Sequence, residues 1–344
     1  LTMTRAGDAI FLVFTDLDGS LLDHDSYSYR DALPALQRLG QLEIPVIIAT
    51  SKTRAEVEPL REELGNRAPF IVENGAAVYI PAGLFSGQPP QTSARDGYWV
   101  REVTAPRERW LAMLDELGGS FAGEFDHFAR AGNHGIARLT GLSEQAAALA
   151  NQREYSEPVL WLGSPERRAA FVAQLRAGGA HPLQGGRFLA VSGDCDKGRA
   201  LTWLREVYRQ NCLVDACHDL AIGDSGNDCA MLEAAETALV VRSPAHDFPP
   251  LARSHGVIFS TGLGPAGWAE GVARWLTRIP ALSHRTGGRK PKGDYYQNGI
   301  ITTLQNQSST PLGDSEGELV AFSRERPMAL ILPSLYSELE GAAL

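Results

Sequence analysis

The sequence predicts an α/β protein: a Rossmann-like parallel-sheet core split by an inserted α+β domain. Three observations predict it. Apolar runs of strand length alternate with stretches of helical periodicity over residues 9–80, and the alternation lapses and then resumes near residue 196. Polar clusters rich in Asp, Ser and Thr follow the apolar runs, where the carboxyl ends of parallel strands gather ligands. The residues between the two alternating halves carry a different mixture of short strand-like and helical stretches.

The elements are read in chain order. AIFLVFTDLDG (9–19) is a buried strand that ends in an acidic turn. In YRDALPALQRLGQL (29–42), Leu33, Leu36 and Leu39 recur at helical spacing. IPVIIAT (44–50) is a second buried strand. SKTRAEVEPLREELG (51–65) opens with Ser and Thr as caps and closes on Gly65, as a helix should. PFIVENGAAVYI (69–80) is a third strand region, broken at Asn74-Gly75.

Residues 81–97 are rich in Pro, Gly, Ser and Gln and read as a linker. Strand-like YWVREV, PVLWLG and RFLAVS and helical RERWLAMLDELG and SPERRAAFVAQLRAGG follow, as in a compact α+β insert. DKGRALTWLREVYRQ (196–210) is a helix, and DLAIGDSGNDCAMLEAAE (219–236) is a strand, a polar turn and a helix. TALVVRS and GVIFS are short strands, and GPAGWAEGVARWLTRI (264–279) is the last helix. The expected organisation is therefore core 8–85, insert 86–191, core 192–280 and a C-terminal extension 281–344.

A net charge of −9 on 344 residues disfavours broad nucleic-acid or anionic-membrane binding, though a local basic pocket for a small anion is compatible with it. No apolar run has the length of a membrane span. The first residues lack the basic, apolar and cleavage segments of a secretory signal, so a cytoplasmic location is expected. Cys195, Cys212, Cys217 and Cys229 form no C-x-x-C pair, and Cys212, Cys217 and His218 lack a fourth ligand at zinc-like spacing.

Three polar clusters fall at strand ends: TDLDGS, ATSKT and GDSGNDC. Convergence of those ends would gather Asp16, Asp18, Asp224 and Asp228. Carboxylates so close repel one another, and a hard divalent cation relieves this; Mg²⁺ suits a few carboxylates with waters and phosphate oxygens. Each residue also has a plainer reading. Asp18 would stabilise a turn, Thr50 would cap a helix, Lys197 would be a solvated helix-start lysine, and Asp228 would cap the next helix. Asp23 and Asp25 read as loop residues.

Taken in order, Asp16-Leu17-Asp18-Gly19-Ser20, Thr50 with Ser51 beside it, Lys197, and Gly223-Asp224-Ser225-Gly226-Asn227-Asp228 resemble the motifs of the haloacid dehalogenase superfamily of phosphohydrolases. The resemblance spans about residues 8–280. It implies Asp16 as the nucleophile and Asp18 as the general acid and base. It implies Thr50 and Lys197 on the phosphoryl group. Mg²⁺ would be held by the Asp16 carboxylate, the Asp18 backbone carbonyl and Asp224, with Asn227 and Asp228 supporting. The insert stands where that superfamily carries its larger α/β cap, which closes over the substrate and selects it.

A narrower resemblance, to mannosyl-3-phosphoglycerate phosphatases, rests on DHDSYSY, ATSKTRAEVEPLREELG, FIVENGAAVYIP, REYSEPVLW and GGRFLAVSGDCDKGRAL. It implies release of phosphate from a mannosyl- or glucosyl-3-phosphoglycerate in compatible-solute synthesis. Such a substrate joins phosphate, carboxylate and sugar, and asks for cationic, N–H and polar partners. Candidates are Ser51, Lys52, Asn74, Arg153, Glu154, Ser156, Glu157 and Arg187. Plainer readings are surface ion pairs for Arg153 and Glu154 and a turn position for Arg187. The other functional readings are a sibling sugar-phosphate phosphatase or phosphomutase, and a phospho-acceptor signalling module. The latter is disfavoured by Asp18 and the insert.

The extension ends in ALILPSLYSELEG, which is similar to the first strand and acidic loop of nucleotide-sugar glycosyltransferases. It is read either as a fragment of a fused glycosyltransferase or as a docking or partly disordered extension. Functional coupling to a hexosyl-3-phosphoglycerate synthase would fit the first reading.

Overall fold

The computed structural model describes residues 5–6 and 9–279, so the 281–344 extension and its glycosyltransferase-like reading lie outside the described residues. A short β1 (Arg5–Ala6) pairs antiparallel with β2 (Ala9–Thr15). The chain then runs through α1 (Leu33–Gln41), β3 (Val46–Ala49), α2 (Arg54–Glu63) and β4 (Phe70–Val72). β2, β3 and β4 lie side by side and parallel, as the strand–helix alternation predicts. Thr53 caps α2: its hydroxyl accepts the Glu56 N–H and the Glu56 carboxylate accepts the Thr53 N–H, a capping box that fixes where the helix starts.

After β4 the chain turns back as β5 (Ala77–Pro81), and β6 (Ser93–Arg95) and β7 (Tyr98–Glu102) extend the same sheet antiparallel, in the order β4-β5-β7-β6. This corrects two expectations. Part of the 81–97 linker is a strand, and YWVREV belongs to the large sheet, so the change of sheet falls after Glu102 and not between 85 and 86. The cause is aromatic packing across strands: the Tyr98 ring meets Phe70 at 5.5 Å and Tyr79 at 5.7 Å, both edge-on. Composition alone registers only the Pro, Gly and Ser of the exposed edge.

The insert contains α3 (Arg107–Gly118), β8 (Phe125–His127), α4 (Phe128–Thr140), α5 (Glu144–Ala150), β9 (Glu157–Trp161), α6 (Pro165–Ala177), β10 (Leu183–Gln184) and β11 (Leu189–Val191). Its strands form a separate antiparallel sheet in the order β10-β11-β9-β8. Trp110, Leu114, Phe121, Phe125, Val159 and Phe171 give it its own core. Sequence reading did not find β8, α4 or α5. The helix α4 contains Gly132 at φ +63, a break in helical geometry that blurs the periodicity.

The core resumes with α7 (Lys197–Cys212), β12 (Ala216–Gly223), α8 (Cys229–Ala234), β13 (Thr237–Arg242), β14 (Val257–Leu263) and α9 (Gly264–Thr277). β12 pairs parallel with β2 on the side away from β3, and β13 and β14 follow outward. The strand order therefore reverses at β2, the place where a crevice opens at the carboxyl edge of such a sheet. β2 is buried on both faces. Phe11 and Val13 enter the layer shared with Trp268 and Trp275, while Ile10, Leu12 and Phe14 enter the layer shared with Leu201, Leu204 and Met231. Burial on both sides explains why its sequence is a continuous apolar run.

Candidate active site

The crevice is built by the segments that leave β2, β3, β4 and β12. Asp16 is the first residue beyond β2, and its N–H donates to the Ile222 carbonyl of β12 at 2.8 Å. Three residues on, Gly19 adopts φ +75, and a Cβ there would lie 2.6 Å from Asp224 Oδ2. The D-x-D-G turn thus needs glycine twice over, for its left-handed backbone and for the approach of the second acidic loop.

Lys197 begins α7 behind Asp196, whose carboxylate accepts the Arg199 N–H and caps the helix. Its Nζ is wholly buried and donates to Asp16 Oδ1 and to Asp228 Oδ1, each at 2.7 Å. It is not a solvated helix-start lysine. Burial works against its charge, but Asp16 and Asp228 outweigh burial and raise its pKa.

Asp16, Asp224 and Asp228 each present a carboxylate oxygen within 4.8 Å of the others, and all are buried. Burial, and then the Asp228 charge, push the Asp16 carboxyl well above the ordinary range, against the pull of Lys197. The same pair of causes lifts Asp224 to about 7. Asp228 is fully engaged. Oδ1 takes Lys197, and Oδ2 accepts the N–H groups of Asp224 and Ser225 at 3.1 Å each. Asp228 therefore shapes its own loop, and Asp16 and Asp224 are the better placed to ligate a cation.

Oδ1 of Asp18 and Oδ1 of Asp224 are buried with no hydrogen-bond partner. Orphaned carboxylate oxygens in a cluster with a single buried lysine call for another positive charge, and an all-oxygen donor set fits a hard ion such as Mg²⁺. Asp18 Oδ2 is paired, 2.9 Å from Lys52 Nζ. Lys52 also faces Glu56 at 3.8 Å and lies over the Tyr27 ring. Asp23 accepts the N–H groups of Asp25 and Ser26 and the Ser26 hydroxyl, the loop role expected of it.

Thr50 is completely buried just past β3. It does not cap α2, since that role belongs to Thr53; its hydroxyl accepts the Lys52 N–H at 3.2 Å. Asn74 Oδ1 accepts from Asn227 Nδ2 at 3.1 Å, tying the turn after β4 to the acidic loop after β12. Asn227 Oδ1 accepts the Ser225 hydroxyl.

The insert residues separate. Arg153 donates from Nη2 to the Ser51 carbonyl at 2.8 Å and from Nε to Ser156 Oγ at 3.1 Å. It is not a surface ion pair, for its side chain is 7% exposed and its Nε stands 3.5 Å from the Glu73 carboxylate. Glu154 faces elsewhere, accepting from Tyr79 and pairing with Arg95 at 3.0 Å. Glu157 is buried inside the insert with Arg107, His127 and the Ala129 N–H, so it builds the insert's fold. Arg187 is exposed in the turn between β10 and β11, and β10 lies against the Gly226–Asp228 turn of the acidic loop.

Two residues near the site escaped sequence reading. His246 Nε2 lies 3.3 Å from Asp224 Oδ2, on the loop after β13. The rule that ligands gather at strand ends applied equally to β13 and would have pointed there. Glu73, buried beside Asn74, accepts from three consecutive insert residues. Nothing in a single sequence signals partners eighty positions apart.

A family model described as haloacid dehalogenase-like hydrolase matches residues 13–85. The chain is 36% identical over 261 residues to a glucosyl-3-phosphoglycerate/mannosyl-3-phosphoglycerate phosphatase of Methanococcoides burtonii, covering 76% of this chain and 95% of the relative. It is 32% identical over 270 residues to a protein of the same description from Persephonella marina, covering 78% and 98%. It is 33% identical over 239 residues to a mannosyl-3-phosphoglycerate phosphatase of Pyrococcus furiosus, covering 69% and 93%. Among solved structures, a Thermoplasma acidophilum protein aligns with TM-score 0.53 at 17% identity, over 77% of this chain and 97% of that one. A haloacid dehalogenase-like hydrolase from B. subtilis aligns with TM-score 0.51 at 18% identity, over 80% and 99%. At such identities the structural matches speak to the fold. No helix among the described residues is long and apolar enough to cross a membrane.

Proposed function

The chain belongs to the haloacid dehalogenase-like hydrolases and is a phosphoric monoester hydrolase, and from that premise we propose that it cleaves mannosyl-3-phosphoglycerate or glucosyl-3-phosphoglycerate to the hexosylglycerate and phosphate with Mg²⁺. The observation that carries the chemistry is Asp16, buried at the strand-order switch with Lys197 on one of its oxygens. The substrate rests on what the relatives act on.

Phosphoryl transfer asks mainly for positioning and for neutralised charge. Asp16 attacks phosphorus and forms an aspartyl-phosphate while the alcohol departs. Asp18 gives that alcohol its proton and then takes one from the water that attacks the aspartyl-phosphate. Lys197 holds Asp16 in place and offsets charge on the phosphoryl oxygens. The Thr50 hydroxyl hydrogen-bonds one of those oxygens. Asp16, the Asp18 backbone carbonyl and Asp224 would hold Mg²⁺, with Asn227 and Asp228 shaping the loop behind them. Bound there, Mg²⁺ would supply positive charge to the phosphoryl oxygens.

Lys52 and Arg187 are the cations proposed for the glycerate carboxylate and the sugar side, with Ser51 next to Lys52. Release of a hexosylglycerate would place the enzyme after a hexosyl-3-phosphoglycerate synthase in making a compatible solute.

The test is phosphate release from the two hexosyl-3-phosphoglycerates side by side, against 3-phosphoglycerate and simple hexose phosphates. The proposal expects kcat/KM at least about a hundredfold higher for a hexosyl ester. Equal rates across the panel would reject the substrate, and full activity in Asp16→Asn would reject the mechanism.

A further inference from the structure

The turn Glu73-Asn74-Gly75, between β4 and β5, touches the segments after β3 and β12 and the start of α7, three of those that supply the site. All three residues have left-handed backbones, at φ +48, +59 and +94. Glutamate and asparagine in succession there carry strain that the surroundings must hold in place. The Glu73 N–H donates to the Lys52 carbonyl at 3.0 Å, and the Asn74 N–H donates to the Thr50 carbonyl at 2.9 Å. The Asn74 side chain holds Asn227. A Cβ on Gly75 would stand 2.2 Å from the Asp196 carbonyl, so the turn lies flat against the residue that precedes Lys197.

The Glu73 side chain points the other way, into the insert. Oε1 accepts the Glu154 N–H at 2.8 Å. Oε2 accepts the Tyr155 N–H at 3.2 Å and the Ser156 hydroxyl at 2.6 Å. Arg153 sits beside it and donates to the Ser51 carbonyl. Glu73 is 1% exposed, so these bonds form out of water and are charge-assisted. The 153–156 segment leads from α5 into β9, at the insert's junction with the core.

We propose that Glu73 is a positioning residue that couples the insert to the phosphoryl site. Its carboxylate fixes the 153–156 segment, and the strained turn that carries it fixes Thr50, Lys52, Asn227 and the start of α7. The distance between the surfaces that bind the substrate's two ends is thereby set by one buried side chain. A substrate that spans core and insert needs that setting. A small phosphate ester that uses the core alone does not.

The experiment compares wild type with Glu73→Gln on the best hexosyl-3-phosphoglycerate and on p-nitrophenyl phosphate, and follows amide hydrogen exchange without substrate. Glu73→Gln keeps the volume but loses the charge and one acceptor. The expected result is a fall of about a hundredfold in kcat/KM for the hexosyl ester and less than about threefold for p-nitrophenyl phosphate. Exchange should quicken about tenfold or more at Glu154 and Tyr155, with α3 and α6 unchanged. An equal fall on both esters, or unchanged exchange at 153–156, overturns the proposal.

Should Glu73→Gln alone fail to fold, Glu73→Gln with Arg153→Gln leaves no unpaired buried charge and is read by the same two measurements. The proposal rests on the phosphatase reading but not on the sugar. A wild type that cleaves p-nitrophenyl phosphate and neither hexosyl ester rejects the substrate alone, and the exchange data still decide the role of Glu73.

Discussion

Lys197 Nζ lies 2.7 Å from Asp16 Oδ1, with the lysine fully removed from solvent. Residues 181 positions apart meet because α7 starts behind the sheet just where β2 ends. The lysine's second bond, to Asp228, means that one cation serves two buried carboxylates. Lys197→Met would leave both without it. Breaking a buried pair typically costs about 3–5 kcal/mol, because the remaining charge has no partner. Urea unfolding in EDTA should show a loss of that size, partly restored by saturating Mg²⁺, and hydrolysis should fall at least about a thousandfold.

Asp16→Asn has the opposite stability signature. The carboxyl is raised by burial and by Asp228, so its charge is unwelcome in the metal-free protein. The variant should lose hydrolysis by about three orders of magnitude or more and yet melt no lower than wild type in EDTA. A lower Tm would mean that the Asp16 charge holds the fold together.

Much of this site was legible in the sequence because parallel strands buried on both faces leave continuous apolar runs, and the polar residues that interrupt them mark the sheet's carboxyl edge. Asp16, Thr50 and Asp224 stand one residue past such runs, and Lys197 follows a capping Asp. What was not legible depends on long-range packing. Tyr98 joins the large sheet because Phe70 and Tyr79 receive it. The sequence offers Arg153 and Ser156 as substrate-binding candidates, whereas in the fold both meet Glu73, and only folding brings Glu73 to them.

Asp224 gives a pH prediction. Its folded pKa of about 7 lies above the ordinary value of 3.8, so between these pH values the folded protein holds a proton that the unfolded chain has lost. Stability from this group is therefore present at pH 4 and is lost as pH rises through 7. In EDTA, wild type should lose more stability from pH 5 to 8 than Asp224→Asn does. With saturating Mg²⁺ the difference should shrink, because a bound cation favours the ionised form. Tm against pH for both proteins, with and without metal, checks the sign.

Gly19→Ala tests how closely the two acidic loops must approach. Alanine would adopt a left-handed backbone at φ +75 and place its Cβ 2.6 Å from Asp224 Oδ2. The backbone cost alone is about 1–2 kcal/mol. Asp224 must also move, so Mg²⁺ affinity should fall about tenfold or more, read directly by calorimetric titration. An unchanged affinity would show that Asp224 has room to adjust.

The last prediction concerns Lys52, 2.9 Å from Asp18 Oδ2 and 18% exposed. It faces the residue proposed to protonate the leaving group, and it lies where a carboxylate next to that group would arrive. Burial opposes its charge, yet Asp18 and Glu56 raise its pKa, so it stays an ammonium throughout the working pH range. If it binds the glycerate carboxylate, Lys52→Met should raise KM for the hexosyl ester about tenfold or more and leave KM for p-nitrophenyl phosphate within about twofold. If it acts through Asp18 alone, kcat should fall for both esters with their KM ratio unchanged, because both pass through the same aspartyl-phosphate, whose hydrolysis needs Asp18 to take a proton from water. The KM ratio of the two esters separates these outcomes, since only a contact with the carboxylate distinguishes an ester that has one from an ester that does not.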